Sequence, residues 1–309
     1  MHFLVSSFAC VVITVSIALP AAGETKVVGH RVDLLATFRA GASLQGIDIA
    51  KDGAAYISVN ADDVIIRVTP DGKQSEFAKL PIHPHGILVT RDGFVIAGQT
   101  NRPVGDSTTP PAQRFGALDG RFLVLDRTGK ILKSIAMGAA TFPNGVAALP
   151  DGTYLVADSL ANVVWRVDTR TESVSTWSAD PFLRADPSFP GANGIKIANG
   201  WVYASNTIKQ QIARTKLGKD SMPDGPFAVI GSVAGVDEIA VTKEGTVYAA
   251  DHRAMAKVSP SGETVAVFEN AEGGSTLVLS HDQKSIYAVT DGVGKDGTRS
   301  ETRLLRIWF

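Results

Sequence analysis

The sequence predicts an all-β fold, a six-bladed β-propeller whose ring is closed by an N-terminal strand completing the last blade. Three observations predict it. One short frame recurs six times along the chain, each full copy reads as four short strands, and the last copy is a strand short while a spare strand stands near the front. Most copies stand about 40 to 50 residues apart, the spacing of propeller blades, and the one longer step, from His85 to Asn144, contains an insertion.

The copies follow in order. Leu44-Gln45-Gly46-Ile47 leads to the strand Ala55 to Asn60. Pro84-His85-Gly86-Ile87 leads to Phe94 to Gln99. Pro143-Asn144-Gly145-Val146 leads to Thr153 to Asp158, and Ala192-Asn193-Gly194-Ile195 leads to Trp201 to Asn206. Val236-Asp237-Glu238-Ile239 leads to Thr246 to Asp251. The sixth copy, Ser275-Thr276-Leu277-Val278, leads to Ser285 to Thr290. The runs alternate apolar with polar residues and favour Val, Ile, Tyr and Phe, as half-buried strands do.

Hairpin residues separate the first two strands of five copies: Asp52-Gly53, Asp92-Gly93, Asp151-Gly152, Asn199-Gly200 and Glu244-Gly245. Such pairs suit turns that need a positive φ. Third strands are expected at Val64 to Val68, Phe122 to Asp126, Val163 to Asp168, Gln211 to Lys216 and Ala254 to Val258. Fourth strands follow turns such as Pro70-Asp71-Gly72. The spare strand, Val32 to Phe38, fills the vacancy in the last blade. Closure leaves only short, protected sheet edges. Two long insertions, Arg102 to Gly116 and Ala179 to Gly191, are expected on the channel-mouth side, since long loops in compact domains often carry function.

Residues 1–23 read as a signal peptide, with an apolar run from Phe3 to Leu19 followed by Ala21, Ala22 and Gly23. Residues 24–309 then form a single propeller domain, periplasmic or secreted. Cys10, the sole cysteine, lies in that apolar run. The mature chain therefore has no thiol for a disulfide, a thiolate metal site or a nucleophile. A net charge of −1, without long runs of one sign, gives no footprint for nucleic acid and none for a membrane surface after signal cleavage. The nucleophile-elbow and phosphate-loop patterns are absent. The partner implied is a small-molecule substrate or ligand.

In each copy, the start of the first strand and the end of the second meet at the same rim. This pairs Asn144 with Asp158, Asn193 with Asn206, and Asp237 with Asp251. It also pairs Gln45 with Asn60, and His85 with Gln99 or Thr100. A ring of oxygen-bearing side chains at a channel mouth is a natural ligand site. Asn carbonyls and Asp carboxylates are hard donors suited to calcium or magnesium, although an Asn-Gly before a strand is often only a turn. His85, as base or ligand, and His252 belong to the same mouth. Phe115, Phe142, Phe182 and Phe189 lie in or beside mouth loops and offer an apolar wall.

On Phe142-Pro143-Asn144-Gly145, Ala192-Asn193-Gly194-Ile195 and Val236-Asp237-Glu238-Ile239, the chain resembles the senescence marker protein (regucalcin)/gluconolactonase family of six-bladed propellers, over nearly all its mature length. The resemblance implies one divalent cation, calcium foremost, held in the mouth by a Glu, two Asn and an Asp. The two Asn and the Asp fall on Asn144, Asn193 and Asp237. The Glu position is Gln45, which keeps a carbonyl oxygen and loses a charge. Asp237 takes the family's general-base role, with His85 as a substitute. The family's substrate-gripping Arg is replaced by Phe142, which turns the expectation toward a more apolar substrate. Substrate contacts are expected from Asn60, Phe142, Asp158, Asn206, Asp251 and His252. The activity implied is metal-assisted hydrolysis of a lactone or related ester. Two alternatives stand beside it: a binding propeller without chemistry, and a strictosidine-synthase-like or cyclisation enzyme.

Overall fold

The structure is a computed structural model that describes residues 31–105, 109, 111–139, 141–184, 190–250, 254–269, 274–290 and 301–309. The expected signal segment lies outside the described residues. So do Asp251, His252 and Phe189.

Strand β1 (Val32–Phe38) comes first in the chain and belongs to the last sheet. Blade one is β2 (Leu44–Ile49), β3 (Ala55–Val59), β4 (Val64–Val68) and β5 (Gln74–Lys79). Blade two is β6 (His83–Val89), β7 (Gly93–Gln99), β8 (Asp119–Asp126) and β9 (Ile131–Ala139), with a short helix α1 (Pro111–Phe115) between β7 and β8. Blade three is β10 (Pro143–Ala148), β11 (Tyr154–Asp158), β12 (Val163–Asp168) and β13 (Ser173–Ser178). Blade four is β14 (Ala192–Ala198), β15 (Trp201–Asn206), β16 (Gln211–Leu217) and β17 (Pro223–Ser232). Blade five is β18 (Ile239–Val241), β19 (Val247–Ala250), β20 (Ala254–Val258) and β21 (Thr264–Glu269). Blade six is β22 (Thr276–Leu279), β23 (Ser285–Val289) and β24 (Thr302–Trp308).

All six sheets are antiparallel and four-stranded. In blade six the order β22-β23-β24 ends on β1, whose Val32 pairs with Ile307 and Phe38 with Thr302. The six innermost strands meet in sequence, and β22 returns to β2, so the ring closes as the sequence predicts.

The core lies between the blades, because each sheet buries both faces against its neighbours. One apolar cluster fills each of the six interfaces. Tyr56 and Ile65 of blade one meet Ile87, Phe94 and Leu123 of blade two. Phe122 of blade two meets Val146, Val156 and Val167 of blade three. The closing interface sets Phe38, Tyr287 and Leu304 against Ile47, Ile57 and Val59. Each fully buried Leu, Ile or Phe contributes roughly 1.5–3 kcal/mol, so the ring is held by six comparable contributions.

The hairpins differ in detail from the expected turns. At Gly53, Gly152 and Gly245 only the glycine has a positive φ, and only Asn199-Gly200 has both. Asp52 and Asp151 cap these turns, accepting from Ala54 N at 3.0 Å and Thr153 N at 2.9 Å. Gly93 has no positive φ and lies inside β7, where a Cβ would overlap the Leu125 carbonyl.

Candidate functional site

The first four inner strands all open on a β-bulge. Register shifts fall between Leu44 and Gly46, Pro84 and Ile87, Pro143 and Val146, and Ala192 and Ile195. An extra residue on one strand re-aims a side chain out of the regular pleat. Gln45, His85, Asn144 and Asn193 occupy these four bulges. Asn144-Gly145 and Asn193-Gly194 are therefore steps within strands rather than turns. The glycines allow inner strands to approach closely: a Cβ on Gly46 would overlap His85 O, and one on Gly86 would overlap Asn144 O. The rim residues consequently follow one another on adjoining strands. Asp237 precedes β18, and its main chain fixes it there: its N–H donates to Ala250 O at 2.9 Å, and its carbonyl accepts from Ser205 Oγ at 2.6 Å.

Three side-chain amides at this rim are anchored through nitrogen. Gln45 Nε2 donates to Ser43 Oγ at 3.2 Å, Asn144 Nδ2 to Ser159 Oγ at 3.3 Å, and Asn193 Nδ2 to Thr207 Oγ1 at 3.0 Å. Ser159 fixes the orientation of Asn144, because its own proton goes to Ala192 O at 2.7 Å, leaving it to accept from the amide. Gln45 Oε1, Asn144 Oδ1 and Asn193 Oδ1 make no hydrogen bond within the described residues. The donor chemistry of these three carbonyl oxygens and the Asp237 carboxylate is hard, oxygen-only and singly charged. It fits a divalent cation of the calcium or magnesium kind.

Other expected substrate contacts are absorbed into the wall. Asp158 is fully buried. Its Oδ1 accepts from Phe142 N at 2.9 Å, Leu160 N at 3.0 Å and Ala161 N at 2.8 Å, and its Oδ2 from Trp165 Nε1 at 2.9 Å. Burial raises its pKa, opposed by these donors. Asn206 is equally buried, donating to Phe182 O and Arg184 O and accepting from Lys209 N. Both brace the rim and leave no polar atom for a substrate. Phe115 and Phe182 are buried too, the latter against Phe227, so the apolar wall reduces to Phe142 among the described residues.

Asn60 is held from three sides. Arg102, in the first insertion, donates to Asn60 Oδ1 at 3.1 Å and to Asn60 O at 2.9 Å. The Asn60 amide therefore donates to Pro84 O and to His85 Nε2, each at 3.2 Å. With Nε2 accepting, the His85 proton sits on Nδ1, which makes no hydrogen bond among the described residues. His85 is 4% exposed, and its ring packs on Phe142 with centroids 4.5 Å apart. Burial lowers its pKa to about 3, and the nearby Gln99 acts the other way. This geometry counts against His85 as general base, since Asn60 Nδ2 occupies its Nε2 and burial lowers its affinity for a proton.

A pH dependence follows. Between the folded value of about 3 and the unfolded value near 6.5, the unfolded chain holds the proton and the folded chain does not. Stability from His85 is present in full above the unfolded value and is lost as pH falls toward the folded one. Asp48 and Asp158, with raised pKa values, act in the opposite direction, so the comparison with a variant isolates the histidine. His85→Gln is expected to shrink the difference in unfolding free energy between about pH 7 and about pH 4 by a few kcal/mol. Urea denaturation at both values measures it, and equal differences in the two proteins would contradict a buried neutral His85.

Sequence reasoning missed three supports of the mouth: Arg102, Ser159 and Thr207. Ser159 and Thr207 were signalled by position, since each directly follows the last residue of a second strand.

No family model matches the chain, and no curated protein matches it in sequence. Its likeness to solved structures spans most of its length. A gluconolactonase from Xanthomonas campestris superposes with a TM-score of 0.65 over 91% of each chain, at 13% identity. Regucalcin, a calcium-binding protein from Agrobacterium tumefaciens, does so with 0.60 over 89% of this chain and 96% of that one, at 12% identity. Virginiamycin B lyase from Staphylococcus aureus gives 0.58 over 90% and 99%, at 12% identity. At these identities the shared property is the propeller fold.

Proposed function

We propose that the chain is a hydrolase of lactones or related small esters, acting on a fairly apolar substrate at the channel mouth with one divalent cation, calcium before others. Gln45, Asn144, Asn193 and Asp237 would hold the cation. The observation that supports this reading is the anchoring of the three amides through nitrogen, which leaves their oxygens without a hydrogen bond among the described residues. The likeness in fold to a gluconolactonase and to a calcium-binding regucalcin supports it. When bound, such a cation polarises a carbonyl oxygen and stabilises the charge that develops there. Asp237 takes the proton of the attacking water as its oxygen bonds to the acyl carbon, and returns it to the leaving alkoxide as the ring C–O bond breaks. Phe142, beside His85, lines the mouth with apolar surface where an acidic substrate would need a cation.

A panel of aliphatic, aromatic and sugar lactones tests this. Turnover is expected on the apolar members, with loss on chelation and recovery on adding calcium. Thermal stabilisation by a lactone without any turnover would favour a binding propeller instead. The Phe142–His85 contact also favours a second reading, a non-hydrolytic enzyme that orients an apolar substrate by proximity. Reaction in oxygen-labelled water separates the two: hydrolysis leaves label in the product acid, and elimination or cyclisation leaves none.

A further inference from the structure

Glu238 stands where the first four inner strands have glycine. Gly46, Gly86, Gly145 and Gly194 hold the corresponding place in their blades. In blade five this place carries a long acidic side chain instead. That side chain is 12% exposed. Its Oε1 lies against Gly194, the residue after Asn193, where any Cβ would overlap it. Oε1 accepts from Lys196 Nζ at 2.8 Å and from Ile239 N at 2.9 Å, while Oε2 makes no hydrogen bond within the described residues.

We infer that Glu238 supplies a second negative charge to the cation site at the mouth, with Lys196 as its internal counter-ion. The inference rests on the cation reading above. Three of the four donors there are neutral amides, so Asp237 alone would balance a double positive charge, and the count of charged ligands strongly tunes affinity for calcium. Glu238 follows Asp237 in the chain and packs against the residue after Asn193. It thus adjoins Asp237 directly and Asn193 through Gly194. A carboxylate this enclosed is costly without a compensating charge. Lys196 provides that charge through a flexible stem. The same ammonium acts on Asp48, an enclosed carboxylate on the inner strand of blade one.

Calcium titration by calorimetry on the mature wild type, Glu238→Gln and Lys196→Met tests this. Glu238→Gln keeps an oxygen for Ile239 N and Lys196 Nζ, and its melting temperature checks the fold. It is expected to weaken calcium binding by about tenfold or more, and Lys196→Met to tighten it severalfold. If Glu238→Gln melts early, Lys196→Met carries the test with the carboxylate intact. Wild-type binding with both variants within twofold of it would overturn this inference and leave the cation reading standing. Binding confined to Lys196→Met would uphold the inference. No heat from all three proteins would overturn both.

Discussion

Replacing Asp158 with Ala is expected to lower the midpoint of thermal unfolding by about 10 °C or more. The side chain is fully buried and receives four N–H donors, from Phe142, Leu160, Ala161 and the Trp165 indole. Removing it orphans all four in an enclosed place. Each unsatisfied buried donor costs about 1–3 kcal/mol, with some recovered by relaxation or an entering water. In a domain of this size 1 kcal/mol shifts the midpoint by about 2–4 °C. Asp158→Asn should fall between the two, since its amide nitrogen would face the Trp165 N–H and one donor would lose its acceptor. Calorimetric melting of the three proteins is the measurement. An Ala variant within about 2 °C of wild type would show that the carboxylate is not the brace described. The bond from Phe142 N also holds the entry to Asn144, so the Ala variant should lose mouth function at temperatures where it remains folded.

Asp237→Ala is expected to reduce calcium affinity by about a hundredfold or more and to abolish turnover. It removes the one charged member of a four-donor set, and charge count strongly tunes calcium affinity. The main-chain bonds of Asp237 to Ala250 and Ser205 are kept in the variant, and its melting temperature checks the fold. Asp237→Asn distinguishes its two roles. An amide oxygen can still meet a cation, so affinity should fall less, whereas a neutral amide cannot accept the water proton, and turnover should drop by about 10²–10⁴. Normal turnover in Asp237→Asn would remove Asp237 from the base role.

Much of this arrangement was legible in the sequence, for physical reasons that can be named. Alternation of apolar and polar residues with turn pairs marked the strands, and the missing fourth strand of the last copy pointed to Val32 to Phe38 as the closing strand, now seen on β24. The repeat itself located Gln45, His85, Asn144 and Asn193 at corresponding places. What it did not reveal was direction. Asp158 and Asn206 share the rim with Asn144 and Asn193, yet they point into loops whose backbone needs partners, which spacing along a strand does not encode. The bulges were hidden for a related reason, since Asn-Gly serves turns and bulges alike. Arg102 reaches Asn60 from 42 residues away through an insertion with no pattern of its own. Glu238 was in view within its motif, but its meaning required seeing that the other inner strands need glycine to pack.

The central claim is that the mouth is a cation site built from oriented side-chain oxygens. The most direct measurement is a calorimetric titration of calcium into the chelator-stripped mature protein, with Asn193→Ala alongside. The account predicts saturable binding at a single site in wild type and its loss in the variant. No heat in wild type, with no competition by magnesium or other divalent ions, would contradict it and leave the carbonyl ring as a seat for a hydrogen-bond-donating ligand.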